Sequence, residues 1–192
     1  MSDVHPQAQA ILDAAEEAGA TPLNEMPLAD ARAALDEIPK NFGVALAPVA
    51  RIDKLTIPSP DGMMDARLVI PNSERSDPLP LLVYYHGGGW VLGHVESHIR
   101  EACYYAAGAK CAVLVPDYRL APEHKFPAAS EDSFAALQWA FDHAAMLNID
   151  PTRIAVGGDS AGGHLAAVTT QRAREEGPSI KMQLLVYPVT DT

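Results

Sequence analysis

Residues 153–167 read RIAVGGDSAGGHLAA: an apolar run of strand type stops at paired glycines and restarts as an alanine-rich helical run, with Gly158, Asp159, Ser160, Ala161 and Gly162 forming GxSxG at the junction. The central residue of so sharp a strand-to-helix turn sits in strained backbone geometry. Bulky side chains two positions before and after it would collide, hence Gly158 and Gly162. The turn lifts the Ser160 hydroxyl above the sheet, where the start of the next helix offers unpaired N–H groups and the positive end of a dipole. A phosphate cradle fits poorly, because no lysine follows the glycines as a P-loop requires and GxGxxG spacing is absent.

Working outward, LLVYY at 81–85 is a solid apolar run of strand length, followed at once by His86, Gly87, Gly88, Gly89 and Trp90. That places the glycines at the carboxyl edge of the sheet, the edge that carries Ser160, so both loops face one crevice. Bare backbone at three consecutive glycines approaches a substrate carbonyl closely, so their N–H groups can complement the amide of Ala161 in binding a tetrahedral oxyanion. Loss of one such donor typically costs about 3 kcal/mol of transition-state stabilisation. His164 is expected to point along its own helix, Asp117 to Glu123 to form a network bracing the turn, and Asp159 to be structural.

The flanking sequence supplies the frame. RIDKLTI from Arg51 and ARLVI ending at Ile70 alternate around SPDGMM with its AspGly pair, predicting a β-hairpin. Strands follow at 112–116 (AVLVP), 153–158 and 182–187 (MQLLVY), separated by helices near 96–109, from about 129 to 147, and from 161 to about 176. An antiparallel hairpin leading into a mostly parallel sheet with covering helices is an α/β three-layer arrangement. Residues 7–18 and 28–38 predict two short helices outside the sheet, punctuated by prolines 22, 27 and 39.

The formal net charge of −11 repels phosphate backbones and anionic membranes, and no basic stretch reverses it, so nucleic acid is excluded as a partner. No apolar stretch approaches the roughly 20 residues of a membrane span, and the amino terminus lacks a leader pattern, so a cytoplasmic location is expected. Cys103 and Cys111 are too few for a disulfide framework and predict reduced structural thiols. No metal or cofactor is expected.

Three features in this order and spacing, HGGGW at 86–90, DYRLAPEHKFPAA at 117–129 and GDSAGG at 158–163, make the chain resemble the hormone-sensitive lipase family of esterases, bacterial family IV, from about residue 45 onward. The resemblance implies an α/β-hydrolase domain over 46–192 and a carboxylesterase that cleaves short to medium acyl esters through an acyl-Ser160 intermediate. It also implies that Gly88, Gly89 and Ala161 are the oxyanion donors, that His86 and Gly87 shape the glycine loop, and that residues 1–45 belong to a helical cap, with Met26, Phe42 and the adjoining Leu46 either similar to a lid or plugging a surface groove. A non-catalytic ligand-binding module of the same fold is the alternative.

In this fold the triad acid and then the histidine follow the nucleophile on loops after later strands. Here the last histidine is His164, and Asp191 precedes the strand from which the family draws its acid, so neither triad partner is assigned. Strand 182–187 is therefore expected to be an exposed apolar edge, and the chain to be inactive alone. Its expected partners are an ester substrate and a complementing carboxyl-terminal segment of the same enzyme, with homo-oligomerisation left open.

Overall fold

In the computed structural model, which describes residues 4–19, 21–41, 45–73 and 77–191 (38–41 by backbone alone), the strands are β1 (Val49–Ser59), β2 (Gly62–Pro71), β3 (Leu79–Tyr85), β4 (Ala112–Pro116), β5 (Ile149–Asp159) and β6 (Met182–Val186). The helices are α1 (Pro6–Glu17), α2 (Leu28–Asn41), α3 (Ile99–Ala109), α4 (Ala128–Asp142) and α5 (Ala161–Glu176). The sheet order is β1-β2-β4-β3-β5-β6. The β1–β2 and β2–β4 pairs are antiparallel, and β3–β4, β3–β5 and β5–β6 are parallel, so the expected hairpin does open a mostly parallel sheet.

Central strands buried on both faces must be apolar throughout, and alternation then decides which helix each side chain meets. Leu82 and Tyr84 of β3 and Val113 and Val115 of β4 join Cys103 and Ala106 of α3 in one core. Leu81, Val83, Tyr85 and Leu114 turn the other way and join Leu137 of α4 and Leu165 of α5. Helices on both faces complete the three layers.

Several boundaries differ from the sequence reading, each for a local reason. The hairpin turns at Pro60–Asp61, with Gly62 opening β2 at φ +122°, so the AspGly pair straddles the turn's exit. The α2 backbone continues through Pro39 to Asn41, because a proline this close to a helix end forfeits one intrahelical bond and no more of the ladder. Helix α4 ends at Asp142, where the following His143 ring donates to the Trp139 carbonyl at 2.8 Å. The helical spacing read out to 147 persists because Ala144 and Leu147, now in turns, still pack against the core.

Helix α1 buries none of its residues, and Ile11 and Leu12 are exposed. At the far edge, β6 pairs, among the described residues, with β5 alone and exposes Met182 and Leu185, as expected for that strand. An open apolar edge is a template for pairing with another chain. Leu185→Lys in the 192-residue chain should lower light scattering on concentration severalfold; scattering equal to that of the parent would show that association does not use this edge.

Candidate active site

Ser160 occupies φ 53°, ψ −120°, left-handed geometry that a residue bearing a Cβ adopts only under constraint. The constraint is backbone crowding. A Cβ on Gly162 would lie 2.0 Å from the Tyr85 carbonyl oxygen, and one on Gly158 would lie 2.3 Å from the Gly162 backbone and 2.5 Å from the same Tyr85 oxygen. Glycine at both positions lets α5 begin directly against the end of β3. The Ser160 N–H donates to the Val186 carbonyl at 2.9 Å, and its carbonyl accepts from Val189 N–H at 3.1 Å, so β6 and the segment beyond it hold the strained residue from the other side.

The glycine loop leaves β3 beside this turn, since Tyr85 and Gly158 are register partners. Asp159 joins the two loops: its Oδ1 accepts from the Tyr84 hydroxyl at 2.8 Å and from the Gly87 N–H at 3.1 Å. The fit requires glycine, because a Cβ on Gly87 would lie 2.1 Å from Asp159 Oδ2. That second oxygen faces His98 Nε2 at 3.8 Å. Burial pushes the Asp159 carboxyl up, while His98, Tyr84 and the Gly87 amide together pull it below its ordinary value.

With the Gly87 amide committed to Asp159, the amides of Gly88, Gly89 and Ala161 donate to no described residue. Gly88 adopts φ +122° and is packed against its own turn, where a Cβ would meet the Leu92 oxygen at 2.1 Å. Gly89, at φ +62°, faces open space. It borders an apolar cavity of about 720 Å³ that runs along Trp90, Val91 and Ala121 to His164, Leu165 and Val168 on α5. None of the described side chains of 4–19 and 21–37 lines this cavity; Leu46 is exposed, Met26 half-buried, and Phe42 lies outside the described residues.

His86 is wholly buried and stacks on Tyr118 at 4.3 Å between ring centres. Its Nδ1–H donates to the Gly87 carbonyl at 2.8 Å, and the Tyr118 hydroxyl donates to the His86 carbonyl at 2.7 Å. Burial above all, helped by His98, brings its pKa down to about 3, so the ring is neutral and serves the loop's shape. His164 meets Trp90 edge-on at 5.2 Å between ring centres, on the cavity side of α5.

The segment 117–123 braces other parts than the turn the sequence suggested. Tyr118 supports His86, Asp117 accepts from Val95 N–H at 3.0 Å, Arg119 clamps Asp132 of α4 at 2.8 and 2.9 Å, and Glu123 receives Arg32 of α2 at 2.8 Å. The turn itself is braced by Asp159, Tyr84 and β6. Sequence reading took Asp159 as merely structural and passed over Tyr84 and Arg32, whose partners lie 75 and 91 residues away in the chain. Among the described residues no three His, Cys, Asp or Glu side chains gather where they could hold a metal ion. No helix is long and apolar enough to cross a membrane among those residues.

A family model of the alpha/beta hydrolase fold matches residues 82–192. The carboxylesterase NlhH of Mycobacterium tuberculosis is 50% identical over 148 residues, covering 76% of this chain and 46% of that protein. Among solved structures, an ester-hydrolase from the metagenome of Lake Arreo, complexed with a bipyridine phosphonate derivative, superposes with a TM-score of 0.91 at 37% identity over 99% of this chain and 62% of its own. An esterase of the archaeon Pyrobaculum calidifontis gives 0.89 at 40% identity over 97% and 59%. The chain thus spans about half the length of the curated relatives it matches.

Two measurements probe this geometry. Gly162→Ala should cost about 3 kcal/mol in denaturant unfolding, since its Cβ meets unyielding backbone, whereas Gly89→Ala, strained in φ but unobstructed, should cost only about 1 kcal/mol; equal costs would refute the crowding argument. A carboxyl depressed by folding contributes stability that is present above its unfolded pKa and is lost as pH falls through the folded value. The stability gap between the parent and Asp159→Asn should therefore be larger at pH 7 than at pH 3, and a gap that does not change with pH would contradict the charged staple.

Proposed function

Because the chain belongs to the α/β-hydrolase fold family, in its hormone-sensitive lipase type, we propose that it carries the nucleophile and oxyanion donors of a carboxylic ester hydrolase acting on short to medium acyl esters. The observation that carries this reading is the staple: one carboxylate, Asp159, sits next to the strained Ser160 in sequence and fixes the first glycine of the neighbouring loop. Two loops held together in this way, at one edge of the sheet, suit a single carbonyl that touches both.

In the proposed reaction the Ser160 oxygen attacks the ester carbonyl carbon, its proton passing to a base. The carbonyl becomes a tetrahedral oxyanion that receives hydrogen bonds from the amides of Gly88, Gly89 and Ala161. Collapse expels the alcohol, which takes up the proton, and leaves an acyl-serine that water hydrolyses to acid and free serine. The apolar cavity beginning at Gly89 suits the acyl chain.

His86 is buried beneath the loop, His164 is turned to Trp90 and His98 faces Asp159, and no described histidine hydrogen-bonds the Ser160 hydroxyl. We therefore place the triad acid and base in the part of the relatives' length that this chain does not span, as a complementing carboxyl-terminal segment. The named relatives' esterase activity supports the reaction class.

In the protein at its natural full length, Ser160→Ala should reduce kcat on a short aryl ester by at least about a thousandfold and abolish labelling by a fluorophosphonate. Undiminished turnover would refute the assignment. Reversible ligand binding by the parent protein, with neither turnover nor labelling, would instead favour a non-catalytic binding module.

A further inference from the structure

We propose that Arg32 of α2 is a positioning residue that fixes the wall of the apolar cavity, and with it the acyl-chain preference, by holding the backbone carbonyls of Val91 and Ala121. The assignment rests on the esterase reading for its substrate, but its geometry stands independently. Arg32 Nε donates to the Val91 carbonyl at 3.0 Å and Nη2 to the Ala121 carbonyl at 3.2 Å. Nη1 and Nη2 also donate to the two oxygens of Glu123, each at 2.8 Å. One planar fork thus satisfies two carbonyls and a carboxylate at once, a pattern lysine's single ammonium cannot reproduce.

What the fork joins gives it consequence. Val91 belongs to the loop that carries the glycines and Ala121 to the loop after β4, and both line the cavity. The two loops already meet where Ala121 N–H donates to the Trp90 carbonyl at 2.9 Å. Arg32 closes that joint from outside, so the gap between Trp90 and Ala121, and hence the cavity's width, is set by a residue that does not line it.

Elsewhere on α2, Ala31 is buried and Asp36 meets His94 at 2.9 Å. The Arg32 and Glu123 side chains are 32% and 50% exposed, so as an ion pair alone they would contribute little. The carbonyl contacts are the part that bears on the cavity, which separates this role from that of a surface salt bridge.

The test compares Arg32→Ala, Arg32→Lys and Glu123→Ala in the full-length protein. With p-nitrophenyl hexanoate, Arg32→Ala and Arg32→Lys should both raise KM about tenfold, against less than about threefold for the acetate, with kcat changed by less than about threefold for either ester. Glu123→Ala should stay within about twofold of the parent in KM. Calorimetric titration with 1-octanol, which needs no turnover, should show the same weakening in the two Arg32 variants. A Glu123→Ala that reproduces Arg32→Ala, a lysine that restores the parent KM, or equal KM shifts for both esters would overturn the assignment. Weakened octanol binding in a protein that turns over no ester would leave Arg32 in place and remove the esterase reading; turnover with octanol binding unchanged would do the reverse.

Discussion

The Tyr85 carbonyl oxygen has two glycines pressed against it, Gly158 ending β5 and Gly162 opening α5, at distances where no Cβ could stand. Everything at the carboxyl edge follows from that contact. It forces the chain from strand into helix without an intervening loop, and the residue at the pivot is left in left-handed geometry. Such strain persists only where the surroundings over-determine it. Here they do so from both sides, through β3 with its glycine loop and through the backbone bonds of Ser160 to Val186 and Val189.

Consecutive tyrosines at the end of β3 divide the work of fixing this edge. Tyr85 points towards α4, where its hydroxyl donates to the Ser133 carbonyl at 2.9 Å, and Tyr84 points to the opposite face, where it meets Asp159. Burial raises the pKa of both hydroxyls, so they remain protonated donors across the accessible pH range. The alternation that sorts apolar side chains between two cores thus also sorts two polar anchors, one for the helix layer and one for the turn.

The turn and the sheet were legible because their signals are local. GxSxG between an apolar run and an alanine-rich run, and apolar runs of strand length, state their geometry within a few residues, and α5 begins and ends where the spacing placed it. Helix α4 was overread because Ala144 and Leu147 keep a helical burial pattern in non-helical backbone. Asp159 and Arg32 could not be read for what they do. An acidic or basic residue in isolation is most often a solvated one, and only the meeting of distant segments turns Asp159 into a link between loops and Arg32 into a clamp on two carbonyls. The amino-terminal helices were found where expected, yet α1 turned out exposed on every side, because helical spacing of apolar residues does not say whether anything covers them.

The bonds from Ser160 to Val186 and Val189 also have a bearing on timing. Parallel pairing of β6 with β5 requires the whole of α5 to be made and folded back first, a closure that is slow compared with forming a local turn. During synthesis the glycine loop and β3 emerge about seventy residues before β5, yet the serine backbone is not clamped until β6 docks. The strained backbone at residue 160 is thereby a property of the completed sheet and not of its earlier-made parts, and the order of strands along the polypeptide decides when that pose can be held.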